Sequence, residues 1–356
     1  MVDDSVCGTK IGSSRRARQS SPLCGHSAVL RNCSPKGPPD EHRATPNREI
    51  TKKAYRPGVR RVLVIFNPIS GGGRAAAASV GIERALSEAG FVVFRLATEP
   101  GPSEAWLDGP LAGHDALVVM GGDGAVRGAA LSASRVGVPL CNLPFGTENL
   151  FARHFGMSRD VPALIERLRG GGVRRVDLGL VNGEPFLSMC GIGLDAEVVH
   201  DLAGARTGTI SKLDYTAPIL RQALSWRAPR LEVELDGSPW RLPGPGFLVI
   251  GNTRGYAAHL DPASMAIDDD GLLDACFFPC RSAIGASMWA IRCWLGQQFR
   301  ARRAMHCRAQ SIVVKGADGP VRYQMDGDRP RAPQDAVVVR LEVRRQAVPI
   351  LVKSEK

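Results

Sequence analysis

Clusters of glycine recur in this chain where an apolar run gives way to a helical pattern, each beside residues able to do chemistry. The first is Asn67-Pro68-Ile69-Ser70-Gly71-Gly72-Gly73-Arg74. Glycines let the backbone approach phosphate oxygens, and the start of a helix adds N–H groups and a favourable dipole. The segment lacks the Gly-Lys-Ser/Thr ending of a Walker A loop and has no G-x-G-x-x-G spacing. An ordinary Gly-rich turn accounts for it equally well. The second cluster is Gly121-Gly122-Asp123-Gly124. Three glycines around one acid leave room for a bulky ligand and hold a carboxylate beside it. Next to phosphates a carboxylate works through a bound cation, since direct approach is repulsive. The competing reading is an Asp N-cap in a tight turn. The third, Phe145-Gly146-Thr147-Glu148-Asn149-Leu150-Phe151-Ala152-Arg153, offers Thr and Asn to a nucleotide and Arg153 to phosphate charge. Standing alone, it is better explained as a capped helix that turns Leu150 and Phe151 inward.

Further acids follow. Asp268-Asp269-Asp270-Gly271-Leu272-Leu273-Asp274 reads by itself as a solvated acidic loop. Gln324-Met325-Asp326-Gly327-Asp328 reads by itself as a β-turn, Asp-Gly being a strong hairpin signal.

These segments need a frame to bring them together. Val62–Phe66 is a continuous, largely β-branched apolar run, the mark of a strand buried on both faces. A helix follows over Ala75–Ala89, a strand over Phe91–Ala97, a helix over Pro102–Leu111, a strand over Asp115–Met120, a helix over Ala125–Ser134 and a strand over Pro139–Leu143. This alternation predicts a parallel sheet covered by helices, with a site at the carboxyl ends of its strands. From about residue 173 strand signals dominate: Arg174–Leu180, Phe186–Cys190, Leu231–Leu235, Phe247–Ile250, Leu272–Phe278, Ser311–Lys315, Val321–Met325 and Val337–Val343. Helices are expected near Ser211–Trp226 and Ser282–Arg300. The expected organisation is a basic, unstructured tail at 1–58, an α/β domain at 59–172 and a mostly antiparallel domain at 173–356. The C-terminal end of the last is a candidate to return to the first domain, and a cleft between the two is expected.

The charge of the 356-residue chain is +11, but residues 1–60 hold 12 basic and 5 acidic side chains, a surplus of seven. The excess therefore belongs to the tail and does not point to a specific nucleic-acid partner. Cysteines stand at 7, 24, 33, 141, 190, 276, 280, 293 and 307 without a C-x-x-C pair, which reads as free thiols in a reducing cytoplasm. The N-terminus lacks a signal-peptide pattern. No run reaches the ~18–20 apolar residues of a membrane span; Ala283–Leu295 is short and broken by Arg292.

Taken in order, the three glycine-marked motifs resemble the diacylglycerol kinase catalytic-domain family, which includes soluble bacterial lipid kinases and the sphingosine and ceramide kinases. Gly191-Ile192-Gly193-Leu194-Asp195, the Asp268–Asp274 segment and the Gln324–Asp328 segment look like that family's later motifs. The resemblance runs from about Arg61 to the C-terminus. It implies an N-terminal α/β domain like that of NAD kinases and 6-phosphofructokinases, followed by a C-terminal β-sandwich. It implies an ATP site at Asn67, Ser70, Gly71, Gly72, Gly73, Thr98, Gly121, Gly122, Asp123, Gly124, Gly146, Thr147 and Asn149. It also implies a part for Asp123 in holding catalytic magnesium, and a second magnesium site at Asp270, Leu272 and Ile267. Asp328 would be the general base that takes the proton of a lipid hydroxyl, with diacylglycerol the leading acceptor. The expected location is the cytoplasm, peripheral at the inner membrane surface, where the tail would assist; homodimers are common in the family. Ala125 replaces the usual Thr of the second motif, Leu150 an Asp of the magnesium network and Asp328 a commoner Glu; Glu148 is a candidate to stand in for the missing Asp. The alternatives are a non-catalytic lipid- or nucleotide-binding relative and an NAD kinase.

Overall fold

The computed structural model describes residues 61–204, 226–256, 259–300, 303–331 and 336–353. The expected tail, and all of the expected Ser211–Trp226 helix except Trp226, lie outside them.

Four parallel strands open the fold: β1 (Arg61–Phe66), β2 (Val92–Ala97), β3 (Ala116–Gly121) and β4 (Leu140–Pro144), in the spatial order β2-β1-β3-β4. The two central strands are the continuous apolar runs: every residue of β3 is buried, as are Val62–Ile65 of β1. Register decides where the glycine turns open. Phe66 pairs with Met120, and Gly121 with Pro144, so β1, β3 and β4 end at one level. The three turns therefore leave the sheet side by side at its carboxyl edge. Helices α1 (Arg74–Glu88) and α4 (Asp123–Val136) begin directly after the first two turns.

The second half is an antiparallel β-sandwich. One layer is the sheet β12 (Met305–Ala309), β11 (Leu273–Pro279), β10 (Gly246–Gly251), β7 (Met189–Ile192) and β14 (Tyr323–Met325), in that order. The other holds β13 (Ser311–Gly316), β8 (Leu231–Leu235) and β9 (Ser238–Trp240) beside part of β15 (Val339–Val352). Their facing side chains, among them Ile192, Leu248 and Phe277 against Val233, Ile312 and Leu341, form one core. β15 belongs to both halves. Val339–Glu342 pairs with β13; β5 (Gly172–Val181) runs along the other side of the strand from Leu341 to Val352, with a register shift between Arg344 and Val348, and Ile350 lies beside Leu140 of β4.

Several local expectations change. The single strand expected over Phe186–Cys190 is two: β6 (Glu184–Phe186), which pairs with β5, and β7 in the opposite layer. The chain switches layers because the N–H groups of Leu187, Ser188 and Met189 are drawn to the Asp326 carboxylate. The helix over Pro102–Leu111 divides into α2 (Ser103–Trp106) and α3 (Asp108–Leu111), Pro110 supplying no N–H to continue one helix. The last strand continues nine residues past Val343. The capped helix read at the third motif is present as α5 (Leu150–His154), with Leu150 and Phe151 buried, whereas the helices α6 (Val161–Gly170) and α7 (Leu194–Gly204) and the strands β9 and β12 were not anticipated. The apolar segment near 282–300 forms α8 (Ala283–Trp294), ending earlier than expected. No helix among the described residues is long and apolar enough to cross a membrane.

Candidate active site

A cavity of about 1430 Å³ lies between the carboxyl edge of the parallel sheet and the sandwich. Its sheet side is lined by Asn67, Ser70–Gly73, Thr98, Gly122–Gly124, Gly146 and Thr147. Two of the expected nucleotide contacts, Gly121 and Asn149, are not on this wall. Asn149 closes its own loop instead: its Oδ1 accepts the Gly146 N–H at 2.8 Å and its Nδ2 donates to the Gly146 carbonyl at 2.8 Å. Asn67 shares the lining with a structural task, its Oδ1 accepting the Ile69 N–H at 3.1 Å. The second and third motifs pack glycine against glycine. A Cβ on Gly122 would stand 2.9 Å from the Gly146 Cα, so neither position has space for a side chain.

Three carboxylates meet at the start of α4. Asp326 and Gly327 form a two-residue hairpin loop with φ of 51° and 82°, closed by paired Met325–Asp328 backbone hydrogen bonds of 2.9 Å. The β-turn reading of this segment therefore holds, and the turn also does the positioning. Asp326 points inward and is the anchor: its Oδ2 accepts the Leu187 N–H at 2.8 Å, and its Oδ1 those of Ser188 and Met189 at 2.8 and 3.0 Å. Two residues on, Asp328 reaches the cavity, where its Oδ2 would lie 2.5 Å from a Cβ on Gly124. Arg127 Nη2 stands 3.2 Å from the same oxygen. Asp123 Oδ1 accepts the Phe151 N–H at 3.0 Å. Burial pushes Asp123 up to about 6; the N–H groups of Phe151 and Leu150 oppose this, and the charges of Asp326 and Asp328 add to it. Burial also raises Asp326. A crowded, partly desolvated set of acids fits a divalent cation, whose charge would relieve both the burial and the repulsion. Leu150 is buried on the cavity wall, and Glu148, also on the wall, lies 3.6 Å from Arg153.

The expected second metal position lies away from the cavity wall. Asp270 Oδ1 accepts the Leu272 N–H at 3.0 Å, and its Oδ2 lies 3.2 Å from Arg308. Burial raises Asp270 to about 6; the Leu272 N–H and Arg308 oppose this, while Asp274 and Asp177 add to it. Asp274 gives Oδ1 to His306 at 2.6 Å, while its buried Oδ2 accepts no hydrogen bond among the described residues. That orphaned oxygen suits a cation held by Asp270 with the peptide oxygens of Ile267 and Leu272. No three His, Cys, Asp or Glu side chains converge on one point among the described residues. Asp268, in the same acidic segment, is a strut: it is buried against Arg174 and accepts from His154 Nε2 at 2.7 Å, tying α5 to β5.

The far wall is apolar and belongs to the sandwich side, with Leu194, Val198, Phe247, Val249, Leu260 and Ala290. Within it stands a half-buried acid that the residue-level reading left without a role. Asp195 Oδ2 accepts from Tyr256 Oη at 2.8 Å and Gln324 Nε2 at 3.1 Å, and burial raises its pKa. Arg127 was also missed. The available signal was its position four residues after Asp123, one turn along the same helix face.

Residues 61–181 match the Diacylglycerol kinase catalytic domain family, and residues 188–352 match the YegS C-terminal NAD kinase beta sandwich-like domain. A diacylglycerol kinase of Mycobacterium tuberculosis is 29% identical over 61% of this chain and 72% of its own length. A YegS-like protein of Pseudomonas syringae pv. tomato, described as a probable lipid kinase, is 33% identical over 66% of this chain and 76% of its own. An uncharacterized Synechocystis protein is 25% identical, the chain spanning only 37% of its length. The crystal structure of a diacylglycerol kinase from Bacillus anthracis str. Sterne superposes with a TM-score of 0.59 at 19% identity, covering 83% of this chain and 97% of that one; this likeness bears on the fold. With both domain families matched in order along one fold, the chain belongs to the diacylglycerol kinase catalytic-domain family of lipid kinases.

Proposed function

We propose that this protein transfers the γ-phosphoryl group of ATP to the hydroxyl of a membrane lipid, converting diacylglycerol to phosphatidic acid. The observation that carries the reading is the position of Asp328: a hairpin anchored by Asp326 sets it at the start of α4, between the glycine turns and the apolar wall. The cavity exceeds the ~300–1,000 Å³ of a single small-ligand site, in keeping with two substrates meeting in it. The glycine turns suit the triphosphate; the apolar wall suits the body of the lipid.

In this reading the lipid hydroxyl oxygen attacks the γ-phosphorus, the bond from that phosphorus to the β–γ bridging oxygen breaks, and ADP departs. Asp328 accepts the hydroxyl proton as the new P–O bond forms. Arg127 orients the Asp328 carboxylate and adds positive charge beside the transferring group. Magnesium, when bound near Asp123, would supply charge neutralisation at the phosphates. The name of the Mycobacterium tuberculosis relative supports diacylglycerol among lipid alcohols.

The test is transfer of radiolabelled phosphate from ATP, with magnesium, to diacylglycerol, sphingoid bases, ceramide and polyprenols in mixed micelles, with an Asp328→Asn control. A labelled lipid that disappears in the control is the expected result. If ATP binds but nothing is labelled, the non-catalytic reading suggested by Ala125 and Leu150 takes over.

A further inference from the structure

Helix α8 presents two different surfaces besides the one it buries. Ala286, Trp289 and Cys293 pack inward. Ala286, Ser287, Ala290 and Cys293 form part of the cavity wall. On the remaining side Ile284 is 71% exposed, Met288 51%, Ile291 58% and Leu295, at the C-cap, 51%. Their i, i+4, i+7, i+11 spacing, at about 100° per residue, keeps all four within a stripe roughly 60° wide. By the same rotation Ser287 and Trp294 fall between this stripe and the cavity-lining flank, and Trp294 is itself 65% exposed. The stripe and the cavity wall are thus neighbouring faces of one helix.

A contiguous exposed aliphatic stripe marks an interaction surface, and the charge around it selects the partner. Residues 281–303 contain Arg281, Arg292, Arg300, Arg302 and Arg303 and no Asp or Glu. A twofold contact between copies would set this patch against itself, leaving the arginines opposed with no acid in the segment to offset them. A bilayer with anionic headgroups offers phosphates to the arginines and hydrocarbon to the stripe. Arg292 is arranged for such a boundary, its guanidinium lying over the Trp289 ring at 5.2 Å.

We propose that α8 is the face that docks on an anionic lipid surface, with Ile284, Met288, Ile291 and Leu295 entering the boundary between headgroups and acyl chains. The flank at Ser287 and Ala290 then opens toward the membrane, and the acceptor lipid reaches the cavity along the helix. The purpose of this docking rests on the lipid-kinase reading; the docking itself is measured without it.

The experiment is flotation of the full chain with vesicles of mixed phosphatidylcholine and phosphatidylglycerol, comparing the parent with Met288→Gln/Ile291→Gln. Both side chains are exposed, so the fold is not at stake. The vesicle affinity of the variant should fall at least ten-fold, while turnover of a monomeric short-chain diacylglycerol stays at the parent level. In the parent, Trp294 emission should be quenched by brominated acyl chains, and that quenching should be lost in Trp294→Phe. Equal flotation of parent and variant, or a Trp294 blind to the bromines, overturns the docking proposal whatever the activity. A parent dimer that the substitutions split, without vesicle binding, overturns it in favour of a second copy. Lost flotation in the variant, with no lipid phosphorylated by either protein, upholds the docking and removes the kinase reading instead.

Discussion

Asp123→Asn should make this protein more stable at neutral pH while abolishing phosphoryl transfer. Burial and the neighbouring Asp326 and Asp328 move Asp123 from 3.8 to about 6. The folded chain then holds that proton more tightly than the unfolded chain does. Stability associated with this group is highest below pH ~4, falls as pH rises from ~4 to ~6, and is lost above. The full penalty at pH 7.5 is about 3 kcal/mol. Asparagine removes the charge, keeps a carbonyl to accept the Phe151 N–H, and places N–H donors near two acids. With imperfect repacking, a net gain of about 1–2 kcal/mol is expected, a midpoint rise of a few degrees for a chain of this size. The assay is thermal unfolding of parent and variant from pH 4 to 8. The difference between them should be near zero at the acid end and open through the window. Magnesium should raise the parent's midpoint at pH 7.5 far more than the variant's. A variant less stable than the parent by the same amount at every pH would refute the reasoning, because it would mean that the carboxylate is not held at a disadvantage in the folded site.

Gly124→Ala places a Cβ 2.5 Å from Asp328 Oδ2, so kcat should drop at least ten-fold while ATP binding, followed by calorimetry, changes little. Arg127→Met removes the partner of Asp328 and should lower kcat more than it changes the KM for lipid; Arg127→Lys should recover part of the loss in the same micelle assay.

The parallel half was legible because its chemistry and its burial coincide. β1 and β3 are covered on both faces, so their sequences carry no polar interruption, and the glycine turns follow where such strands must end. The sandwich was legible as strands but not as connections. Nothing in Pro185-Phe186-Leu187-Ser188-Met189 signals that the strand breaks, because the cause is a carboxylate 137 residues or more away. The same distance hid the division of labour between Asp326 and Asp328: as sequence they are equivalent acids flanking a glycine, and only the fold turns one toward backbone N–H groups and the other toward the cavity. Asn149 misled in the opposite sense, its amide being a plausible ligand whose hydrogen-bonding groups are spent on the N–H and carbonyl of Gly146, three residues back in its own loop. The reach of β15 was obscured by Arg344-Arg345-Gln346, a polar stretch that resembles an ending and is instead where the register shifts.

That final strand governs the order in which the molecule is completed. Val348, Ile350 and Leu351 are buried in the core of the amino-terminal half, although in the chain they follow the whole of the sandwich. Until they arrive, β4 has an open edge and the first core lacks three of its aliphatic side chains. A nascent chain carrying the whole nucleotide-facing half is therefore still unfinished when that half has left the ribosome, and it carries an unpaired edge of the kind that recruits other chains. Premature termination anywhere before residue 348 disables the half of the protein encoded first, and a bulky fusion placed directly after Val352 presses on the seam where both halves are joined.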